Sequence, residues 1–143
     1  MSLATVFSRA LNGMNAPLVE VEAHLANGLP AFNIVGLPDT EVKESRDRVR
    51  AAILQSGFDF PSKKITVNLA PADLPKDSGR FDLPIAIGIL IASGQIMADD
   101  VAQYEFAGEL ALSGRLRPIR GALAMAVACA QSHRAFVLPS ESA

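Results

Sequence analysis

Apolar and polar residues alternate from Val19 to Leu25. Val19, Val21, Ala23 and Leu25 fall on one side and Glu20, Glu22 and His24 on the other, the period of a half-buried strand. Asn27-Gly28 follows as a hairpin signal, so the stretch from Pro30 to Val35 reads as the second arm. Gly-Leu-Pro occurs at 28–30 and again at 36–38, each time bounding an element, but two tripeptides do not make a repeat architecture. Asp39 has the position of an N-cap for a helix running to about Ser56, with Gly57 as its stop. Val42, Val49, Ala52 and Ile53 form that helix's apolar stripe, while Lys43, Glu44, Asp47, Arg48 and Arg50 cover the remainder and Arg46 lies between. Glu44 with Arg48 and Lys43 with Asp47 are four apart, so the charged face reads as largely self-compensated, with a binding surface as the alternative.

Ile65, Val67 and Leu69 predict the next strand, entered through Lys63-Lys64. From about Leu83 to Ser93 the chain is apolar all round, the mark of a helix sandwiched in the interior. Tyr104, Phe106, Leu110 and Leu112 read as strand, and Ser113-Gly114 predicts a hairpin into Leu116 to Ile119. Gly121 opens a third helix, Ala122 to about Ser132, whose run GALAMAVACA reads as buried, and a last strand from Ala135 to Leu138 stops at Pro139. Helices interleaved with strands in this order predict the α/β (α+β) class, a mixed sheet with helices stacked on it.

Composition narrows the function classes. The 143 residues fit one domain, 1–143, and a chain of this length buries roughly 70% of its unfolded surface. A formal charge of -2 argues against a whole-surface nucleic-acid binder but leaves room for a local basic patch. The absence of Trp and a single Tyr argue against an aromatic stacking platform for single strands. Cys129 is the lone cysteine, so an intrachain disulfide and a thiolate zinc site are excluded, and it reads as an inert core thiol. His24 and His133 lack metal-type spacing. The N-terminus has no basic start and long apolar run of a secretory signal, and the stretch from Leu83 to Ala92 is too short to span a bilayer. The expectation is a soluble, cytoplasmic domain.

The richest chemistry lies in PADLPKDSGRFDLPIAIGIL, Pro71 to Leu90, where Asp73, Lys76, Asp77, Arg80 and Asp82 precede the apolar helix. Neither Gly-x-x-x-x-Gly-Lys-Ser/Thr nor Gly-x-Gly-x-x-Gly occurs in the chain, so no nucleotide phosphate loop is expected. A Ser78 nucleophile with Lys76 as base would need a neutral lysine, whereas Lys76 in a charged loop is expected to be exposed and protonated. Asp77 with Asp82, or Asp73 with Asp77, could do acid–base work, but no histidine stands near them. The structural alternative makes Asp82 the cap of the apolar helix, with Asp77–Arg80 and Asp73–Lys76 pairing locally.

Three stretches carry a resemblance: GLPAFNIVGLPDTEVKESRDRVRAAILQSG, KKITVNLAPADLPKDSGRFDLPIAIGIL and GELALSGRLRPIRGA. Together they resemble the N-terminal region of the ComM/YifB proteins, the magnesium-chelatase-like or competence proteins, over nearly the whole chain. That region is similar to the proteolytic domain of Lon proteases, with the fold of the second domain of ribosomal protein S5. In Lon a Pro-Lys-Asp-Gly loop leads to the catalytic serine. Here Pro75–Asp77 keep the first three residues, the loop is longer, and Asp82 takes the position similar to the serine. Lon's lysine follows Pro-Ile-Gly-Gly-Leu. The like segment here is Pro118-Ile119-Arg120-Gly121-Ala122, and Leu123 stands where the lysine would be. The resemblance therefore implies no catalytic residue in this chain.

It also implies an AAA+ ATPase module after this domain, with ATP and magnesium bound there and neither cofactor nor metal here. Such proteins form rings, expected to be hexameric, and act as DNA helicases in branch migration during natural transformation. By that analogy the domain would assemble the ring or touch DNA through Arg46, Arg48, Arg50, Lys63, Lys64, Lys76 and Arg80. Phosphate contacts by such residues would be salt-dependent and sequence-independent. An assembly domain that never touches DNA and a residual Lon-like peptidase are the alternatives.

Overall fold

Strands that bury every second side chain need a partner layer, and this chain supplies it with one long apolar helix. The computed structural model describes residues 2–142. In chain order the elements are β1 (Ser2–Arg9), β2 (Leu18–Ala26), β3 (Ala31–Val35), α1 (Thr40–Lys43), α2 (Ser45–Gln55) and β4 (Lys64–Ala70). Then come α3 (Asp82–Ala92), β5 (Tyr104–Phe106), β6 (Glu109–Leu110), β7 (Leu116–Arg117), α4 (Ala122–Gln131) and β8 (Ala135–Val137). Six strands form one mixed sheet in the order β3-β4-β2-β1-β5-β8, and β6 pairs with β7 in the hairpin that Ser113-Gly114 predicts. The expected α/β class holds, and the arrangement is consistent with the Lon-like domain that the resemblance implied. Among the described residues no helix is long and apolar enough to cross a membrane.

The core lies between the sheet and α3. Val6 of β1, Val19, Val21 and Ala23 of β2, and Ile65, Val67 and Leu69 of β4 pack with Ile85 and Ile89 of α3 and Val49 and Ile53 of α2. Gly88 lets α3 sit close to β2: a Cβ there would come 3.2 Å from that of Ala23. Gly36, at φ 106, ends β3 where a Cβ would run into the carbonyl oxygen of Leu69, so both backbone conformation and space demand glycine.

Four expectations need correction. β1 lay in sequence read only for a missing signal peptide, yet it pairs with β2 on one side and β5 on the other. The β2–β3 hairpin does not form. β4 lies between these strands, antiparallel to β2 and parallel to β3. Residues 27–30 make a four-residue link, long enough to step over one intervening strand, which is a distance of about 10 Å. The helix expected from Asp39 to Ser56 is broken at Glu44 into α1 and α2, where Ser45 turns into the interior. Its ends are as predicted: Asp39 accepts from Val42 N at 2.8 Å, and Gly57 at φ 87 terminates it. Finally, α4 is not buried all round. Met125 packs in a small second core with Ala16 and Ala107 and Cys129, one turn on, is also buried, while Leu123 and Val127 face outward.

Candidate functional site

The loop at 71–82 is held by its backbone. Lys76 N donates to Leu37 O and Asp39 N to Lys76 O, both at 3.0 Å, so Pro-Lys-Asp is zipped to the Gly-Leu-Pro-Asp segment. That places the Lys76 side chain inward. It is 1% exposed, not solvated as expected, and its ammonium donates to Pro71 O. Burial pushes its pKa below the ordinary lysine value, and the opposing pull of Asp73 acts from beyond ion-pair distance. Arg80 is buried as well. Its Nε donates to Ser78 Oγ at 2.9 Å and its NH1 to Arg120 O at 2.9 Å, and no Asp77–Arg80 bridge exists among the described residues.

This geometry removes the nucleophile reading of Ser78. Its oxygen faces a guanidinium, which cannot act as a base, and Lys76 points to Pro71 instead. Ser78 sits at φ 65 and ψ −178, backbone space that is close to glycine-only. A cavity of about 120 Å³ opens beside it, between Gly79, Arg120, Glu41 and Glu109. Leu123 is 80% exposed on α4.

Asp82 departs from the expected cap. It is the first residue of α3, where a negative charge complements the helix dipole, but its carboxylate caps no backbone group of that helix. Oδ2 accepts from Arg48 Nε at 2.6 Å and from Leu110 N at 3.0 Å. Oδ1 accepts from Arg48 NH2 at 3.1 Å and from Ser45 Oγ. One fully buried carboxylate thus joins α2, α3 and β6. Burial alone would lower the Arg48 pKa, but the bidentate contact with Asp82 outweighs it and leaves the pKa raised. Arg48 also lies 3.8 Å from Glu44, the i,i+4 pair read from the sequence. The arrangement holds three elements together.

Pattern reading missed a second buried ionic group. Glu105 of β5 accepts from Arg9 Nε at 2.7 Å, Arg9 NH2 at 2.9 Å and Arg134 NH1 at 3.0 Å. Burial raises its pKa, the two arginines outweigh that, and the carboxyl ends below its ordinary value. The guanidinium of Arg134 also lies 4.1 Å from the centre of the Phe7 ring. Burial, reinforced by Glu105, pushes the Cys129 thiol up to about 11, so it carries no thiolate near neutrality.

Four candidate cations remain outside. Arg46, Arg50, Lys63 and Lys64 are exposed. Three of them, Arg46, Arg50 and Lys63, line one open groove of about 430 Å³ with Asp47, Phe32 and Phe60. The wall is α2, and the floor is β3 with the approach to β4. Phe32 and Phe60 have ring centres 5.7 Å apart, and the Arg50 guanidinium lies 5.7 Å above the Phe60 ring. Lys63 Nζ donates to Asn27 at 2.7 Å. The structure therefore gathers three of the seven basic candidates, leaves Lys64 beside them and places Arg48, Lys76 and Arg80 inside. Phe32 and Phe60 went unread because 28 residues separate them and no local pattern links them.

The donor set of the groove does not suit magnesium. The groove offers a single carboxylate, and among the described residues no three His, Cys, Asp or Glu side chains could hold a metal ion.

Known proteins resemble this chain over its whole length. Residues 21–142 match the family model described as subunit ChlI of Mg-chelatase. The uncharacterized protein YifB of Salmonella typhimurium and the competence protein ComM of Haemophilus influenzae are each 54% identical over 143 residues, all of this chain. YifB of Escherichia coli is 53% identical over 142 residues. The chain spans 28% of the length of each of these relatives.

Proposed function

The chain belongs to the family of subunit ChlI of Mg-chelatase, among its YifB and ComM members, and from that premise we propose that it is the non-catalytic N-terminal domain of a ring-forming, ATP-driven DNA motor. In this reading residues 1–143 precede an AAA+ module that binds ATP and magnesium. The full protein works in the cytoplasm as a homo-oligomer, a hexamer by the resemblance, and promotes branch migration when transforming DNA recombines. The domain's own part is to contact DNA phosphates through Arg46, Arg50 and Lys63, with Lys64 adjacent.

The observation that carries the DNA contact is the sorting of the cations. Arg48, Lys76 and Arg80 are engaged inside the fold, while three of the four that face solvent converge on one groove with a single carboxylate among them. Charge left unpaired on a near-neutral protein is what a polyanion would use. The non-catalytic part is supported by Asp82, whose carboxylate is fully engaged where the resemblance expects a nucleophile.

The test is DNA affinity of the full-length protein carrying Arg46→Glu, Arg50→Glu and Lys63→Glu together, measured over a salt series. The expected outcome is a loss of at least about tenfold and a shallower salt slope. Unchanged affinity and slope would leave the second reading, an assembly domain without DNA contact. One observation favours that reading: Leu123 and Val127 present an apolar stripe on the outer face of α4.

A further inference from the structure

The groove on α2 is more than a patch of positive charge. A surface built only for phosphates needs cations and nothing beneath them. Here two phenylalanine rings, each half-buried, line the same groove as Arg46, Arg50 and Lys63. The rings are tilted 36° to one another, and both pack on the main core, which fixes their positions. Arg46 and Arg50 stand one helical turn apart on the same side of α2. The Arg50 guanidinium, held above Phe60, is itself a flat surface on which a base can stack. A volume of about 430 Å³ lies within the ordinary range for sites that take one small ligand.

We propose that this groove receives one unstacked nucleotide of single-stranded DNA, its phosphate on Arg46 and Lys63 and its base against Phe60, Phe32 and Arg50. The inference rests on the DNA-contact reading above and sharpens it. In a duplex the base faces are covered by their neighbours, so only the cations find a partner. In a single strand a base can turn out, and the apolar floor then adds stacking to the phosphate contact. Composition argued against an aromatic platform, because it counts Trp and Tyr; two phenylalanines brought together by β3 and the approach to β4 provide a small one. The groove is open to solvent and not an enclosed cavity, so a continuing strand can leave it.

The experiment uses this chain, a labelled oligothymidine about 20 nucleotides long and a duplex of equal length, with binding followed by fluorescence anisotropy. The expected result is about tenfold tighter binding of the single strand. Phe60→Leu keeps an apolar contact with the core and should remove most of that preference without weakening duplex binding. Arg50→Lys keeps the charge, lies on the surface, and should reduce single-strand affinity several-fold while sparing the duplex. Arg46→Gln with Lys63→Gln should weaken both.

Equal affinity for the two DNAs, unchanged by Phe60→Leu and Arg50→Lys but lowered by Arg46→Gln with Lys63→Gln, overturns the nucleotide pocket and leaves the phosphate contact standing. No binding of either DNA up to roughly 100 μM, the weak end of non-specific affinities, overturns both.

Discussion

Asp82 and Arg48 hold each other through two hydrogen bonds, whereas along the groove on the other side of α2 three cations share one carboxylate. The contrast runs through a single helix. Arg48 turns inward to Asp82, and Arg46 and Arg50, two residues to either side, turn outward. The helical period explains this, since positions two apart lie about 200° around the axis. The same residue type therefore holds the fold together at one position and remains available to a ligand two positions away. What separates the roles is burial and an assigned partner, and neither can be judged from basic character alone.

The largest expected effect breaks the buried side of the comparison. Asp82→Ala would leave Arg48, Ser45 and the Leu110 amide without their acceptor. Removing one partner of a buried pair costs about 3–5 kcal/mol, a fall in Tm on the order of 10 °C for a domain of this size. Thermal unfolding followed by circular dichroism measures it. A loss under about 1 kcal/mol would mean that Asp82 is not the clasp described here. Asp82→Ser restores the hydroxyl that the resemblance expects, yet it should give no peptidase activity, because Leu123 supplies no amine.

Glu105 extends the comparison to pH. Its folded pKa lies below its ordinary value of 4.5, so the folded state binds fewer protons than the unfolded state in the acid range. Its contribution is therefore fully present above the ordinary value and is lost as pH falls through the folded value. Glu105→Gln should destabilise by about 2–3 kcal/mol at neutral pH. The gap between wild type and variant should then close as the pH falls from 4.5. A gap that stays constant down to acid denaturation would remove Glu105 from the account.

Much of the scaffold was legible because single-helix and single-strand signals are local. Asp39 and Gly57 set the outer ends of the α1–α2 segment, and the unbroken apolar run set α3. β1 was also legible in principle: Ala4, Val6 and Ser8 alternate inward, but small residues and a serine make a weak stripe. Strand order was not, because Asn27-Gly28 describes a turn and says nothing of β4 arriving between its arms. From sequence Asp82 reads as a cap because it precedes an apolar helix. Its real partners, Ser45, Arg48 and Leu110, lie 28 to 37 residues away. From sequence Lys76 reads as solvated because its neighbours are charged, whereas backbone pairing with Leu37 and Asp39 turns it inward. In each case the missing information was an interaction distant in sequence.

Ser78, in the loop that leads to Asp82, tests how firmly that loop is held. Its φ of 65 favours glycine, but its hydroxyl accepts from Arg80. Ser78→Gly loses the acceptor and relieves the backbone, while Ser78→Ala loses the acceptor and keeps the strain. The glycine variant should be the more stable of the two by about 1–2 kcal/mol, which denaturant midpoints will read. Equal stabilities would show that the loop relaxes readily out of this conformation.

The smallest effect on folding should come from the groove. Lys63→Gln removes an exposed cation held by a surface hydrogen bond to Asn27, so stability should change by less than about 0.5 kcal/mol. The same change should be plain in DNA binding. Each cation withdrawn from a single-strand phosphate reduces the slope of log K against log salt by about 0.7, so Lys63→Gln should flatten it by that amount. Asp47→Asn, which removes the one carboxylate lining the groove, should strengthen binding modestly and leave the slope as it was. The pair of variants separates two roles that a single affinity would merge: a cation that meets a phosphate changes the slope, and a nearby anion changes the affinity at any given salt. If Lys63→Gln lowered stability as much as Ser78→Ala and left the slope intact, Lys63 would belong with Arg48 and Asp82 as a structural charge. The groove would then hold only the two arginines of α2.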